Sequence, residues 1–306
     1  MIQKNIKLFY LFIIIVLVGG CSRLQENKIP LGSRLFLYSQ DYGNKNVLML
    51  YNYDLKKSYE LSEFGNPFLK IIKFYNDGKK LVVMPNPAYP NHLYIYDINT
   101  SNKDYFKVLY PWREYFTQQQ FDMNLSYMLF SNGENLYYGL LKNNSSLDSI
   151  QLNAKGVGYF HTNKNNITAI IYNIDSEKFD LLSFMNPYSK FEIVDLNTKT
   201  RKSLPYKPIW ISNWSPDGKR IIFKDSTSTK VMEYTSLQIK ELKGIRADSL
   251  WSGKCYFLDN QTIVFGGANP ENRVWQIYTY DLVSDKVKEC LTSKYESTLL
   301  DVYSKP

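Results

Sequence analysis

Residues 214–223 read WSPDGKRIIF, and the order of side chains in them specifies two strands joined by a tight reversal. Trp214 ends one strand, Pro216 presets φ for the reversal, and Gly218 accepts the positive φ that the next corner needs. A basic and β-branched run, 219–223, then starts the second strand, so the stretch is a β-hairpin. The same strand-turn-strand grammar recurs at 74–83 (FYNDGKKLVV), 121–130, 160–170 and 257–265 (FLDNQTIVF), with starts 47, 39, 54 and 43 residues apart. A second anchor, a strand running into a polar turn, recurs at 50–54 (LYNYD), 93–97 (LYIYD), 136–140, 191–195, 231–235 and 277–281 (IYTYD). Its spacings are 43, 43, 55, 40 and 46 residues. Two independent anchors with one period indicate repeated four-stranded units of about 43 residues.

Composition agrees with an all-β chain. Of 306 residues 44% are hydrophobic, 22% charged and 16% aromatic, including 26 Tyr, and amphipathic helical periodicity is lacking. The expectation is a six-bladed β-propeller of four-stranded antiparallel blades occupying 33–306. Five units carry an innermost strand before their turn, but the first begins directly at 34–39. Residues 297–303 (STLLDVY) alternate and otherwise have no partner, so they are expected to enter blade one and close the ring, removing two open sheet edges. The fourth unit is longer than the others, and its excess falls in 174–190 as an inserted loop.

The ten-residue stretch at 214–223 resembles the repeat of TolB-type, WD-like β-propellers, in which an aromatic-Ser-Pro-Asp-Gly turn precedes a basic residue and a β-branched strand. The other copies depart from it, with Asn76-Asp77-Gly78 in the second unit and no Gly in the stretches at 121–130 and 160–170. The resemblance therefore implies the fold more strongly than any inherited partner.

The N-terminus supplies an address. Lys4 and Lys7 precede a continuous apolar run at 8–18, and Gly19-Gly20 lead into Cys21, the layout of an export signal too short to span a bilayer. Residues 18–21 (VGGC) resemble the lipobox of bacterial lipoproteins, which implies that 1–20 are removed and that Cys21 is acylated. Several acyl chains at ~0.8 kcal/mol per buried CH₂ make a firm anchor. Ser22 after the acylated cysteine implies, by the same resemblance, the outer membrane. Residues 21–32 are expected to be a tether. Without the signal lysines the formal charge falls from +8 to about +6 with no long basic block, so nucleic acid is not an expected partner.

No phosphate-binding Gly loop, HExxH, paired CxxC or GxSxG occurs, and two histidines, His92 and His161, are too few for a three-His metal site. No catalytic residue, metal or cofactor is assigned, and Asp54, Asp97, Asp195 and Asp281 are read as turn initiators rather than ligands. In a propeller the loops between second and third strands and between blades share one end. Here they carry Trp112, Arg113, Tyr115, Tyr188, Trp210, Arg246, Trp251 and Arg273, the aromatic and Arg types that anchor binding surfaces. The expected function is non-catalytic binding of a glycan, peptide or envelope protein at that end, by a monomer. The alternative is a glycan-cleaving lyase or hydrolase with axial carboxylates. Cys255 and Cys290, on the first and last strands of the sixth unit, are expected to stay unbridged.

Overall fold

The computed structural model describes residues 28–61, 71–75, 78–84, 92–100, 102–107, 119–121, 127–131, 135–140, 148–151, 156–163, 166–173, 190–204, 210–225, 228–245, 255–269, 271–291 and 293–305. These contain six four-stranded antiparallel sheets and no helix. Sheet I holds β1 (Arg34–Asp41), β2 (Asn46–Asn52) and β3 (Lys57–Leu61). Sheet II holds β4 (Ile71–Tyr75), β5 (Lys80–Met84), β6 (His92–Asp97) and β7 (Lys103–Lys107). Sheet III holds β8 (Gln119–Phe121), β9 (Tyr127–Ser131), β10 (Asn135–Leu140) and β11 (Asp148–Gln151). Sheet IV holds β12 (Gly156–Asn163), β13 (Asn166–Asn173), β14 (Lys190–Asp195) and β15 (Arg201–Ser203). Sheet V holds β16 (Trp210–Trp214), β17 (Arg220–Lys224), β18 (Thr229–Glu233) and β19 (Ile239–Glu241). Sheet VI holds β20 (Cys255–Phe257), β21 (Thr262–Ala268), β22 (Trp275–Asp281) and β23 (Lys286–Leu291). The last strand, β24 (Glu296–Ser304), belongs to sheet I, whose order is β24-β1-β2-β3.

That pairing joins the two ends of the described chain. β24 runs antiparallel to β1 from Arg34↔Ser304 to Asp41↔Glu296, with one bulge near Leu37 and Tyr38. It also lies against β4 and β20, the first strands of sheets II and VI, as β16 lies against β12 and β20. The first strands of sheets I, II, IV, V and VI therefore pack on one another, and they are called the inner strands below.

Sheet I is covered on both faces, so its strands do not alternate apolar with polar. In β1 every residue from Leu35 to Gln40 is buried. Leu35 and Leu37 pack with Phe74, Leu81 and Tyr303 on one face, while Phe36 and Tyr38 pack with Leu258, Val264 and Val302 on the other. Each such fully buried side chain contributes roughly 1.5–3 kcal/mol against its exposed state. Burial fades outward, and β15 and most of β23 are exposed. The free thiols follow this gradient: Cys255 is buried on β20, whereas Cys290 is half-buried on β23.

The turns between third and fourth strands share one chemistry. Asp97 Oδ1 accepts from the amides of Asn99 and Thr100, Asp195 Oδ1 from Asn197 and Thr198, and Asp281 Oδ1 from Val283 and Ser284. In sheets IV, V and VI a residue four places after the end of the third strand, Lys199, Leu237 or Asp285, takes positive φ. Asp54 breaks the expected pattern. β2 ends at Asn52, whose Oδ1 caps its own turn through the Leu55 amide, and Lys56 takes the positive φ four residues on. Asp54 instead accepts the amides of Ser33 and Arg34, so its carboxylate ties the chain entering β1 to the turn beyond β2. The anchor at 231–235 likewise overruns its strand, because β18 ends at Glu233.

Candidate functional site

Antiparallel pairing gives every sheet two ends. At the turn end lie the hairpins between first and second and between third and fourth strands, together with the start of β1 and the finish of β24. At the loop end lie the remaining connections. Contacts between sheets put the turn ends of sheets I, II, IV, V and VI on one side of the molecule. Arg34 Nη1 reaches Asp259 in the first hairpin of sheet VI at 3.0 Å, and the Asp217 amide reaches Asn260 Oδ1 at 3.2 Å, linking sheets V and VI. The ring of Tyr303 lies beside Gly78, linking sheets I and II, and Lys202 of sheet IV lies over Tyr234 of sheet V.

The 214–223 stretch forms its hairpin at this end as expected. Gly218 has φ +70° and donates to Ser215 O, the Ser215 amide donates to Arg220 O, and Ser215 Oγ accepts the Arg220 amide at 2.9 Å. Arg34 completes the belt by pairing with Asp54 at 2.7 Å as well as with Asp259. Burial works to raise the Asp54 pKa, but the hydrogen bonds from Arg34 and Ser33 prevail and hold its carboxyl below the usual range.

Of the residues expected to form a binding surface, the structure describes two. Trp210 opens β16 opposite Lys224, at the loop end of sheet V. Arg273 lies in the β21–β22 connection at the loop end of sheet VI, at φ +59°, with its amide donating to Asn269 O at 2.9 Å. Gly266 and Gly267 pair with Ile277 and Gln276 inside the sheet, so that loop is confined to the residues between Ala268 and Trp275. Cys21, Trp112, Arg113, Tyr115, Tyr188, Arg246 and Trp251 lie outside the described residues. Of the insertion expected at 174–190, Lys190 belongs to β14 and pairs with Asn173 at the loop end of sheet IV, and 174–189 lie outside the described residues. His92 pairs with Lys107 at the loop end of sheet II, while His161 pairs with Thr168 near the turn end of sheet IV.

Sequence reasoning passed over a second aromatic pair at the loop end. Tyr42, from the β1–β2 loop, and Tyr295, from the connection into β24, bring their rings to 4.6 Å. Lys45 stands over the Tyr42 ring at 5.7 Å and Lys294 over the Tyr295 ring at 5.0 Å. Beneath them Tyr42 Oη donates to Gln40 Oε1, Gln40 Nε2 donates to Ser293 Oγ, and Gln276 Nε2 donates to Ser293 O. Burial, with Glu60 and Tyr295 nearby, pushes the Tyr42 hydroxyl pKa up, so it stays protonated and donating. The sequence signal was weak: a Tyr before Gly43 in a short loop, and another at the far end of the chain.

A polar row on the inner strands was also missed. Asp301 Oδ2 accepts the Phe74 amide at 2.8 Å and Oδ1 accepts from Lys73 Nζ at 3.0 Å, joining sheet I to sheet II. Tyr256 Oη donates to Leu300 O at 3.2 Å, joining sheet VI to sheet I, and Asn213 Oδ1 accepts the Phe257 amide at 3.1 Å, joining V to VI. Burial works to lower the Lys73 pKa, but Asp301 and Tyr256 prevail and hold it well above the usual lysine range. Asp301 is 8% exposed with both oxygens engaged, so its carboxylate is committed to holding sheets together.

No protein-family model and no curated protein matches the sequence. Solved structures do. TolB of Acinetobacter baumannii superposes with a TM-score of 0.62 at 13% identity, over 89% of this chain and 67% of that one. A putative TolB of Agrobacterium tumefaciens gives 0.56 at 11% identity, over 90% and 100%. A chain of a nidogen/laminin complex gives 0.55 at 9% identity, over 88% and 97%. The chain has a TolB-like β-propeller fold.

Proposed function

We propose that this protein is a lipid-anchored component of a bacterial cell envelope, attached through acylated Cys21 in the outer membrane. Its six sheets form the blades of one closed propeller, with β24 as the inner strand of blade one. The loop end binds a glycan, peptide or envelope protein without catalysis, and the molecule works as a monomer.

The observation that carries this reading is where the chain enters the domain. Residues 28–33 run along the turn end of sheet I: Ile29 and Leu31 pack against the core, Asn52 Nδ2 donates to Pro30 O, and Ser33 donates to Asp54. The part of the expected tether within the described residues is thus seated on the domain, and a membrane attachment at Cys21 leaves the loop end turned outward. The loop end also has the varied, aromatic and cationic side chains suited to recognition, Tyr42, Tyr295, Lys45 and Lys294 among them. A glycan-cleaving mechanism needs carboxylates free to exchange protons, and the engagement of both Asp301 oxygens does not suit that residue to the role.

Glycan-array and envelope pull-down screens test the binding reading, using the native chain, a Trp112→Ala/Trp251→Ala variant and an Asp217→Ala control at the turn end. The expected result is loss of the ligand in the double variant alone. A ligand that survives the double variant but is lost with Asp217→Ala puts the site at the wrong end, and turnover of a bound glycan makes the protein an enzyme. Mass spectrometry of the mature N-terminus tests acylation of Cys21.

A further inference from the structure

We infer that the turn end is a docking face for an anionic lipid leaflet, so that the domain sits with its hairpin tips on the membrane to which it is attached. This deepens the proposed attachment through Cys21 and rests on it.

Among the described residues, charge is divided unequally between the two ends. The turn-end segments 28–34, 53–57, 78–80, 97–103, 195–202, 215–220, 233–240, 258–262, 281–286 and 304–305 hold fifteen Lys and Arg against eight Asp and Glu. The described loop-end segments 41–46, 107, 190, 224–229, 241–245, 268–275 and 293–296 hold seven against five. Lys28, Lys79, Lys219, Lys286 and Lys305 are all exposed there. Several carboxylates at that end are bound inward, Asp97, Asp195 and Asp281 to turn amides and Asp54 and Asp259 to Arg34.

The same end carries exposed apolar tips. Leu55, at the β2–β3 turn, is 54% exposed, and Val283, at the β22–β23 turn of the neighbouring sheet, is 73% exposed. Both stand near lysines, Lys56 and Lys57 for the first and Lys286 for the second. Apolar tips set among cations are the pattern that inserts at an interface while the charges meet anionic headgroups. Chain length limits how far that end can stand from the membrane. Six residues lie between Cys21 and Lys28, a span of at most ~25 Å when fully extended, and Lys28 begins the segment seated on the turn end. The loop end lies farther by a strand length, about 26 Å for the eight residues of β1.

The test uses the mature acylated chain reconstituted in phosphatidylcholine vesicles with or without one quarter phosphatidylglycerol. A bimane probe is placed at Val283→Cys or, at the loop end, at Asn44→Cys, with the parent labelled in parallel to measure background from Cys255 and Cys290. Quenching by nitroxide-labelled lipid is then read. The expected result is quenching at Val283 in anionic vesicles and not in neutral ones, with none at Asn44. Lys79→Glu/Lys219→Glu/Lys286→Glu/Lys305→Glu should cut it by about tenfold or more while the protein still floats with the vesicles. Quenching at Asn44, absence of quenching at Val283, or equal quenching in neutral vesicles overturns the docking face. If the intact mass shows no acyl group on Cys21, the attachment reading fails by itself. Docking then stands only if that chain co-floats with anionic vesicles and not with neutral ones.

Discussion

The two ends of the sheets obey different rules. At the turn end, the described turns after the third strands reuse one solution: a side-chain oxygen caps the reversing backbone in sheets I, II, IV and VI, and a residue four places on takes positive φ in sheets I, IV, V and VI. At the loop end, connection length and composition change from sheet to sheet, from the short β1–β2 loop to the long segment between β13 and β14. The contrast teaches that a repeat constrains the end where every reversal must be tight and leaves the other end free to vary. Stability should therefore be concentrated at the turn end and the inner strands, and recognition at the loop end.

The most severe way to challenge that division is to delete 296–306. This removes β24, the inner strand of sheet I, with Val302 and Tyr303, and uncovers Phe36 and Phe74 on the two faces. The expected loss is several kcal/mol, a large part of what a domain of this size has, read as collapse of the thermal transition. An unchanged melting temperature would show that the strand is dispensable.

A pair of glycine substitutions compares the ends directly. Gly78 has φ +71°, and an added Cβ would lie 2.6 Å from the Tyr303 ring. Gly43, at the loop end, has φ +85° with nothing within 4 Å of that position. Gly78→Ala should cost about 2–4 kcal/mol, combining backbone strain with overpacking. Gly43→Ala should cost about 1 kcal/mol from backbone strain alone. Urea unfolding of the two variants checks the ratio, and equal costs would remove the distinction.

Between the inner strands, Asp301→Asn leaves Lys73 beside a neutral partner and weakens the acceptor of the Phe74 amide. About 1–3 kcal/mol should be lost, in the same unfolding assay, with binding at the loop end unchanged. Loss of a ligand with stability intact would instead give the polar row on the inner strands a role in recognition.

The smallest effect concerns pH. Arg34 and Ser33 depress the pKa of Asp54, and turn amides depress that of Asp97, in both cases against the effect of burial. A carboxyl whose folded pKa lies below its unfolded value, about 4, contributes stability that is complete above that value and is lost as pH falls through the folded one. Asp54→Asn should cost about 1 kcal/mol at neutral pH, and the difference should vanish in acid. A difference that persists unchanged below pH 3 would assign the effect to shape rather than charge.

How much could be read beforehand depended on range. The Ser215-Pro216-Asp217-Gly218 reversal, the strand at 297–303 and the Asx turns at Asp97, Asp195 and Asp281 were legible because each is decided within a few residues of backbone. Asp54 was misjudged because it stands two residues past a strand end that Asn52 already caps, and its partners Ser33 and Arg34 lie about twenty residues earlier. Tyr42 and Tyr295 went unnoticed since nothing near either one announces the other.

From the sequence alone came the period, the strand and turn chemistry, the missing first strand and the segment able to supply it. Local sterics and hydrogen bonding select these conformations, and they act between neighbours in the chain. Only the tertiary structure decided that Lys73 meets Asp301, that Arg34 bridges Asp54 and Asp259, and that Tyr42 meets Tyr295. Those pairings depend on how the sheets pack, and packing energy is set by distance in space, which separation along the chain does not encode.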